Sequence, residues 1–273
     1  LGLALAVTAF PLLARLLRDA GIERSKVGSL ALSSAAVGDV GAWCLLAAVV
    51  GATRGTPGDG PRMLAQAAAL LALVWVGATP LARLLLGWLA SGRVSAARGV
   101  ALLTVAVAAW AAEAVGLHAL FGGFAVGVAL SRRGVRAHAL AGRSEHMVTA
   151  GLLPVFFAVT GLRTAIGLLV DSRSWLLCVL IVTVASVSKM AGVFVGGRAA
   201  GFSSRESTAL ACLMNTRGLV GLVILNVGLD IGLIAPALFT MLVVMDIVTT
   251  VMTGPLVRVF VRDPSWGLTP PRA

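Results

Sequence analysis

Four charged residues lie deep inside apolar stretches of this sequence. They are Asp39 in the run 28–51, Lys189 in 174–197, Arg217 in 205–229 and Asp246 in 231–257. A charge at the centre of a membrane helix costs roughly 2.5–3.5 kcal/mol on insertion scales, so such residues are retained mainly where they are paired, neutral or functional. These four are therefore the candidate functional residues.

Asp39 carries the clearest chemistry, because it lies at the middle of its run. A buried carboxylate that titrates near neutral pH holds either a proton or a bare cation, but not both. Competition of this kind is the basis of cation–proton exchange. The alternative is a protonated Asp39 that is hydrogen-bonded to a neighbouring hydroxyl such as Ser34.

The two basic residues also have alternative roles. Lys189 has no acid near it in the sequence, so we expect a partner on another helix, with Asp39 as the obvious candidate. Alternatively, Lys189 extends along the helix toward the interface near Arg198. Arg217 would neutralise the negative, carbonyl end of a half-helix. For Arg217 a structural role and a role in the ion path both remain.

Asp246 lies midway along its run and is a candidate second acid. It either pairs with Lys189 or Arg217, or adds a second proton site. The sequence favours structural pairing over transport.

Composition points to lipid as the solvent of these residues. The chain of 273 residues is 59% hydrophobic and 12% charged, whereas a soluble domain carries about 25% charged residues. The net charge of +11 is spread between apolar runs, which indicates membrane orientation and not nucleic-acid binding. Cys44, Cys178 and Cys212 form no CxxC motif, and no catalytic or cofactor-binding motif is present. We therefore predict no enzyme activity and no cofactor.

Hydropathy predicts an all-α, polytopic membrane protein with about nine spans, since a spanning helix needs about 20 apolar residues. The candidates are 1–17, 28–51, 63–90, 95–115, 117–131, 147–170, 174–197, 205–229 and 231–257. Lys and Arg concentrate in alternate connections and in the C-terminal tail. Because cytoplasmic loops are rich in these residues, the C-terminus is predicted to be cytoplasmic.

Two of these spans contain helix breaks. Pro11 lacks an N–H and clashes with the carbonyl four residues earlier, so the first span should open near Val7. The eighth span contains Asn215-Thr216-Arg217-Gly218 among apolar residues, and we expect its break at Gly218. A pair of interrupted spans in separate parts of a chain is typical of a transporter's binding site.

The domain organisation predicted is a single membrane transport domain, residues 1–258, with a short cytoplasmic tail, 259–273, that contains three prolines. The chain opens within an apolar run, without the basic region of a signal peptide. We therefore expect that the sequence begins inside a longer protein.

Several motifs occur in an order that resembles the monovalent cation:proton antiporters, in the branch of potassium-efflux-type antiporters and plant cation/proton exchangers. They are Leu5–Pro11 with Ala14-Arg15, Gly116–Phe124, Pro154–Phe157, Leu213–Leu219 and Thr249–Pro255. The resemblance covers essentially the whole chain.

This resemblance implies an inverted-repeat fold with two crossing discontinuous helices, a homodimer, and about three further helices before Leu1. It implies that Asp39 is the essential cation- and proton-binding residue, with Thr8 lining the site. Lys189 and Arg217 match the family's intramembrane cations. The cargo is implied to be Na⁺ or K⁺ exchanged for H⁺, and the location a cell membrane.

Two departures from the family pattern leave alternatives open. Gly38 stands where an acid or amide usually precedes the key Asp, and Gly221 where a Glu usually follows Arg-Gly-Leu-Val. Either Asp246 replaces the lost acid, or coupling is altered or transport is lost. With one acid at positions 38–39, electroneutral exchange is the simpler expectation. A regulatory or transport-inactive subunit and a channel-like potassium efflux protein are the alternatives.

Overall fold

A computed structural model describes residues 2–23, 25–54, 60–115, 119–135, 140 and 148–260. The helices are α1 (Gly2–Ala6), α2 (Phe10–Asp19), α3 (Lys26–Arg54), α4 (Gly60–Ala90), α5 (Val94–Ala114), α6 (Ala119–Ser131), α7 (Leu153–Arg163), α8 (Ser172–Ala199), α9 (Ser204–Met214), α10 (Leu219–Asp230) and α11 (Pro236–Phe260). A short π-helix (Val148–Leu152) precedes α7, and a short 3-10 helix (Ile166–Leu168) follows it. The prediction of an all-helical membrane protein is confirmed for the described part of the chain.

The described residues contain six helical stretches that are long and apolar enough to cross a membrane. They are Lys26–Val50, Ala68–Ala90, Val94–Ala114, Ala150–Leu168, Ser172–Ala199 and Pro236–Phe260. Helices α9 and α10, bent by 47°, make a seventh if they count as one span. The predicted nine also include 1–17, which is divided here into α1 and α2, and 117–131, whose apolar helix Phe121–Ser131 is short. The count of nine stays a prediction.

Large apolar side chains cover the outside of the long helices. Leu73 is 70% exposed, Val76 71% and Trp110 73%. A water-soluble protein rarely presents contiguous apolar surface of this kind. Lipid is therefore the medium that these faces contact.

The chain divides into two compact units, Trp43–Ala158 and a second formed by Leu1–Ala42 with Val159–Ala273. In the first of these, α4, α5 and α6 pack through small residues such as Ala82, Ala97 and Ala129. Gly122 is required on α6 because a Cβ there would meet the backbone carbonyl of Ala108 on α5. Small residues permit this close approach of helices in lipid.

The unit Leu1–Ala42 with Val159–Ala273 holds all the candidate site residues. Its apolar core joins α2, α3 and α9 through residues such as Leu17, Ala31 and Leu213. Helix α9 begins at Ser204 because Ser203 and Glu206 form a reciprocal capping box, which satisfies free N–H groups of the first turn. These contacts fix the helices that carry the site.

Some predicted features fall outside the described residues. The turn at 116–118, which separates α5 from α6, is one of them, and residues 261–273 of the predicted tail are another. Helix α11 extends through Val259 and Phe260, the first two residues of that tail.

Candidate functional site

In both interrupted spans the helix breaks within a few residues of the position predicted from the sequence, Pro11 in the first and Gly218 in the second. Helix α1 ends at Ala6 and α2 begins at Phe10, with Pro11 in the first turn of α2. There the missing N–H has no hydrogen bond to lose. Helix α9 ends at Met214 and α10 begins at Leu219, with Gly218 just before it.

The two breaks contact each other. The Ala9 N–H donates to the Thr216 carbonyl at 3.1 Å, and the Thr8 hydroxyl donates to the Met214 carbonyl at 3.1 Å. Irregular backbone at membrane depth persists only where protein or enclosed water satisfies its polar groups. The first break therefore supplies hydrogen-bond donors to two carbonyls of the second. The Thr8 hydroxyl oxygen keeps lone pairs that can accept from, or bind, a further partner.

Two cations bind carbonyl groups at the end of α1 and in the first break, residues 7–9 between α1 and α2. Lys189 Nζ donates to the Val7 carbonyl at 2.6 Å, and Arg217 Nη1 donates to the Ala4 carbonyl at 2.7 Å. Arg217 is only 1% exposed. The last carbonyls of a helix lack partners within the helix and carry partial negative charge, so cations stabilise them.

Lys189 therefore points toward the first break and not along its own helix toward Arg198. Its direct partner is a backbone carbonyl, whereas the sequence suggested an acid. Asp39, Asp246 and Arg217 all lie within electrostatic range of Lys189.

Asp39 is half-buried on α3. Its Oδ1 is enclosed and accepts no hydrogen bond from any described residue. Among the described residues, no hydrogen bond joins Ser34 to Asp39. Lys189, of opposite charge, lies within electrostatic range of Asp39. A carboxylate oxygen in this setting is available to a proton or a cation.

Asp246 on α11 is 3% exposed, and neither carboxyl oxygen has a hydrogen-bond partner among the described residues. Arg217 and Lys189 lie within electrostatic range. The direct pairing that the sequence favoured is not seen among the described residues. Lys189 and one nitrogen of Arg217 donate to carbonyls at the first break.

Two residues in or next to the second break were not identified as functional from the sequence. Asn215 is fully buried, and neither atom of its amide group has a partner among the described residues. The Thr250 hydroxyl donates to the Arg217 carbonyl at 2.9 Å. A polar residue within an apolar run was the available signal for both.

A polar cluster links the ends of α7 and α10. Asn226 donates to the Thr160 hydroxyl at 3.1 Å and accepts from Arg163 Nη1 at 3.2 Å, and Arg163 also forms an ion pair with Asp230 at 2.8 Å. Asn226 and Thr160 are buried, while Arg163 and Asp230 are partly exposed. Sequence analysis left this cluster without a role.

Replacing Asn226 with Leu should lower stability by about 1–3 kcal/mol, because buried partners lose their hydrogen bonds. Asp230→Asn is the matched control, since it removes only the exposed ion pair and should cost about 1 kcal/mol or less. Unfolding of the purified protein in mixed micelles measures both. Equal losses in the two variants would contradict the buried role of Asn226.

Gly218 allows the two breaks to approach each other, since a Cβ at this position would lie 2.9 Å from Ala9 Cβ. Gly218→Ala should therefore destabilise the protein by about 1–3 kcal/mol through overpacking. Adding Ala9→Gly should restore most of that loss. Gly192→Ala is the control, because a Cβ there meets nothing within 4 Å. Failure of the double variant to recover stability would argue against this contact.

An all-helical membrane protein whose two interrupted spans meet beside buried charges has the architecture of a secondary transporter. The chain belongs to the family described as "Sodium/hydrogen exchanger, transmembrane", which matches residues 1–262. This is a family of transporters and not of enzymes. The described residues contain no group of three or more His, Cys, Asp or Glu that could hold a metal ion.

The curated relatives carry related names. The chain is 39% identical to the "Na(+)/H(+) antiporter NhaS4" of Synechocystis over 94% of its length and 63% of that protein. It is 34% identical to "Cation/H(+) antiporter 19" of Arabidopsis thaliana, covering 96% of this chain and 33% of that one. It is 28% identical to "K(+)/H(+) antiporter 1" of Saccharomyces cerevisiae, covering 96% and 31%. The chain thus spans between 31% and 63% of the length of these relatives.

Proposed function

We propose that this protein exchanges a monovalent cation, Na⁺ or K⁺, for protons across a cell membrane. One observation carries the proposal. The half-buried Asp39 has an oxygen without a hydrogen-bond partner among the described residues, and it lies in electrostatic range of Lys189, which donates to the Val7 carbonyl at the first break. Relatives named for Na⁺/H⁺ and for K⁺/H⁺ exchange support the reaction class. Both cations prefer oxygen ligands, so the choice between them stays open.

The proposed mechanism is alternating access with competition at Asp39. Deprotonated Asp39 binds the cation from the cytoplasm, with the Thr8 hydroxyl oxygen and carbonyls freed near Val7 as further ligands. A proton from the other side then displaces the cation. In the conformation described, Lys189 and Arg217 balance the charge of carbonyl groups at the first break.

The proposal extends to the architecture of the membrane domain. It comprises nine spans in residues 1–258, an inverted repeat with crossing discontinuous helices, and a homodimer in a lipid bilayer. The C-terminal tail 259–273 is cytoplasmic, as the basic connections suggest.

Two departures from the family pattern, Gly38 and Gly221, favour a second candidate function, a transport-inactive or regulatory membrane subunit. A channel-like potassium efflux protein is the third. These classes differ in what crosses the membrane with the cation. An antiporter moves protons against a cation gradient, a channel passes charge without protons, and an inactive subunit moves neither.

The deciding experiment measures proton flux with a pH-sensitive dye in everted vesicles that carry the full-length protein, after addition of Na⁺ and then K⁺. A dye response to either ion establishes antiport and names the cation. No response, with the protein shown to be in the membrane, would exclude antiport, and cation uptake under a membrane potential would then separate a channel from an inactive subunit.

A further inference from the structure

Asp246 is a buried acid that exchange at Asp39 does not use. Its side chain is 3% exposed, and both carboxyl oxygens lack a hydrogen-bond partner among the described residues. Buried polar groups are nearly always hydrogen-bonded, and an ionised carboxylate left unpartnered in a low-dielectric interior is especially costly. The position therefore requires a physical explanation.

The Asp246 carboxyl lies in a slot that Gly221 leaves open. A Cβ added at Gly221 would be 2.7 Å from Asp246 Oδ2. Gly221 is itself buried on α10. The Asp246 carboxyl on α11 thus fills the space that the Cβ of any larger residue at position 221 on α10 would occupy. Asp246 fits here because residue 221 is a glycine.

Opposing influences act on the charge of Asp246. Burial favours the neutral, protonated form, whereas the nearby charges of Arg217 and Lys189 favour the carboxylate. Among the described residues, Arg217 and Lys189 are the charged groups that act on Asp246, and Lys189 also acts on Asp39.

Both cations are directed elsewhere in this conformation. Arg217 donates to the Ala4 carbonyl and Lys189 to the Val7 carbonyl. Nε and Nη2 of Arg217 have no partner among the described residues. The guanidinium therefore retains donors for a carboxylate.

We propose that Asp246 is a second proton-binding carboxyl of the transport unit, which gains and loses a proton as Arg217 and Lys189 redistribute between the first break and its carboxylate. The part of this proposal that concerns coupling rests on the proposed function. Proton binding at Asp246 does not, so the two can fail separately.

Infrared difference spectra of the purified full-length protein, recorded between acidic and alkaline pH, report the C=O band of protonated carboxyls directly. Asp39→Asn should keep a titrating band that the double variant Asp39→Asn/Asp246→Asn lacks, because all other acids are common to both. Identical spectra for these two variants would overturn the proposal, whether or not the protein transports a cation.

A second variant covers the case in which Asp246→Asn is not recovered as a folded, monodisperse protein. Gly221→Ala keeps the acid but displaces its carboxyl, and in the Asp39→Asn background it should shift the midpoint of the same band. Gly192→Ala is the control, since its added Cβ meets nothing within 4 Å. An unshifted midpoint would count against the proposal.

Coupling is tested in proteoliposomes. Asp246→Asn should lower the number of protons moved per cation and change the pH dependence of exchange, while a cation-driven response remains. If the Asp246 band is present but the proton-to-cation ratio and pH profile of Asp246→Asn are those of the unmodified protein, Asp246 has no part in transport. That result would overturn the coupling part of the proposal.

Discussion

Asp39→Asn is expected to reduce cation-dependent proton flux to the level of vesicles without the protein. The amide is nearly isosteric with the carboxyl, but it carries no negative charge and binds no exchangeable proton in this pH range. The side-chain hydrogen bonds at the two breaks come from Thr8, Lys189 and Arg217 and do not involve Asp39. The loss should therefore be one of ion binding and not of folding.

The measurement is dye-reported proton flux in everted vesicles, normalised to the amount of protein in the membrane. Asp171→Asn is the matched control, because Asp171 is an exposed acid that precedes α8 and accepts from Ser174 at 2.9 Å. It should leave flux close to that of the unmodified protein. Flux retained in Asp39→Asn would defeat the assignment of the exchange site, and another acid would have to carry it.

Arg217→Met should cause the largest loss of stability, about 2–3 kcal/mol. The substitution preserves apolar volume but removes the charged donor from the Ala4 carbonyl, and hydrogen bonds to charged groups contribute about 1.5–3 kcal/mol. It also removes a positive charge that acts on the buried Asp246. Cation-dependent flux should fall with stability, since the break that Arg217 caps is part of the proposed site.

Arg198→Met is a close control for the interaction itself. Arg198 Nη1 donates to the Phe202 carbonyl at 2.7 Å, the same kind of contact at the same distance, but at an exposed position. Surface substitutions usually change stability by about 0.5 kcal/mol or less. The free energy of unfolding in mixed micelles compares the two variants. Similar losses in both would show that burial of Arg217 adds nothing.

Local chemistry was sufficient to predict much of the fold. Pro11 cannot continue a helix, and helix α1 ends before it. Continuous apolar runs predicted the long helices, because in lipid every backbone polar group must be satisfied within the segment. Family membership was also predictable from the order of short motifs, and it is confirmed.

The number of spans was less accessible to sequence analysis. Hydropathy counts apolar residues, so it gives the same weight to a straight helix as to one divided at residues 7–9. In the described residues, six or seven stretches satisfy the length criterion. The predicted count is higher because it includes 1–17, which is divided between α1 and α2, and 117–131, where the apolar helix Phe121–Ser131 is short.

The sequence by itself determined which residues could do chemistry: an unpaired charge within an apolar run is costly wherever the chain places it, so Asp39, Lys189, Arg217 and Asp246 could be identified without a structure. Only the tertiary structure decided their partners. Lys189 and Arg217 cap carbonyls of a helix break about 200 residues away along the chain, and Gly221 opens the slot for Asp246. Hydrogen bonds and close contacts depend on distances of about 3 Å, and the spacing of residues along a chain does not specify such distances between separate helices.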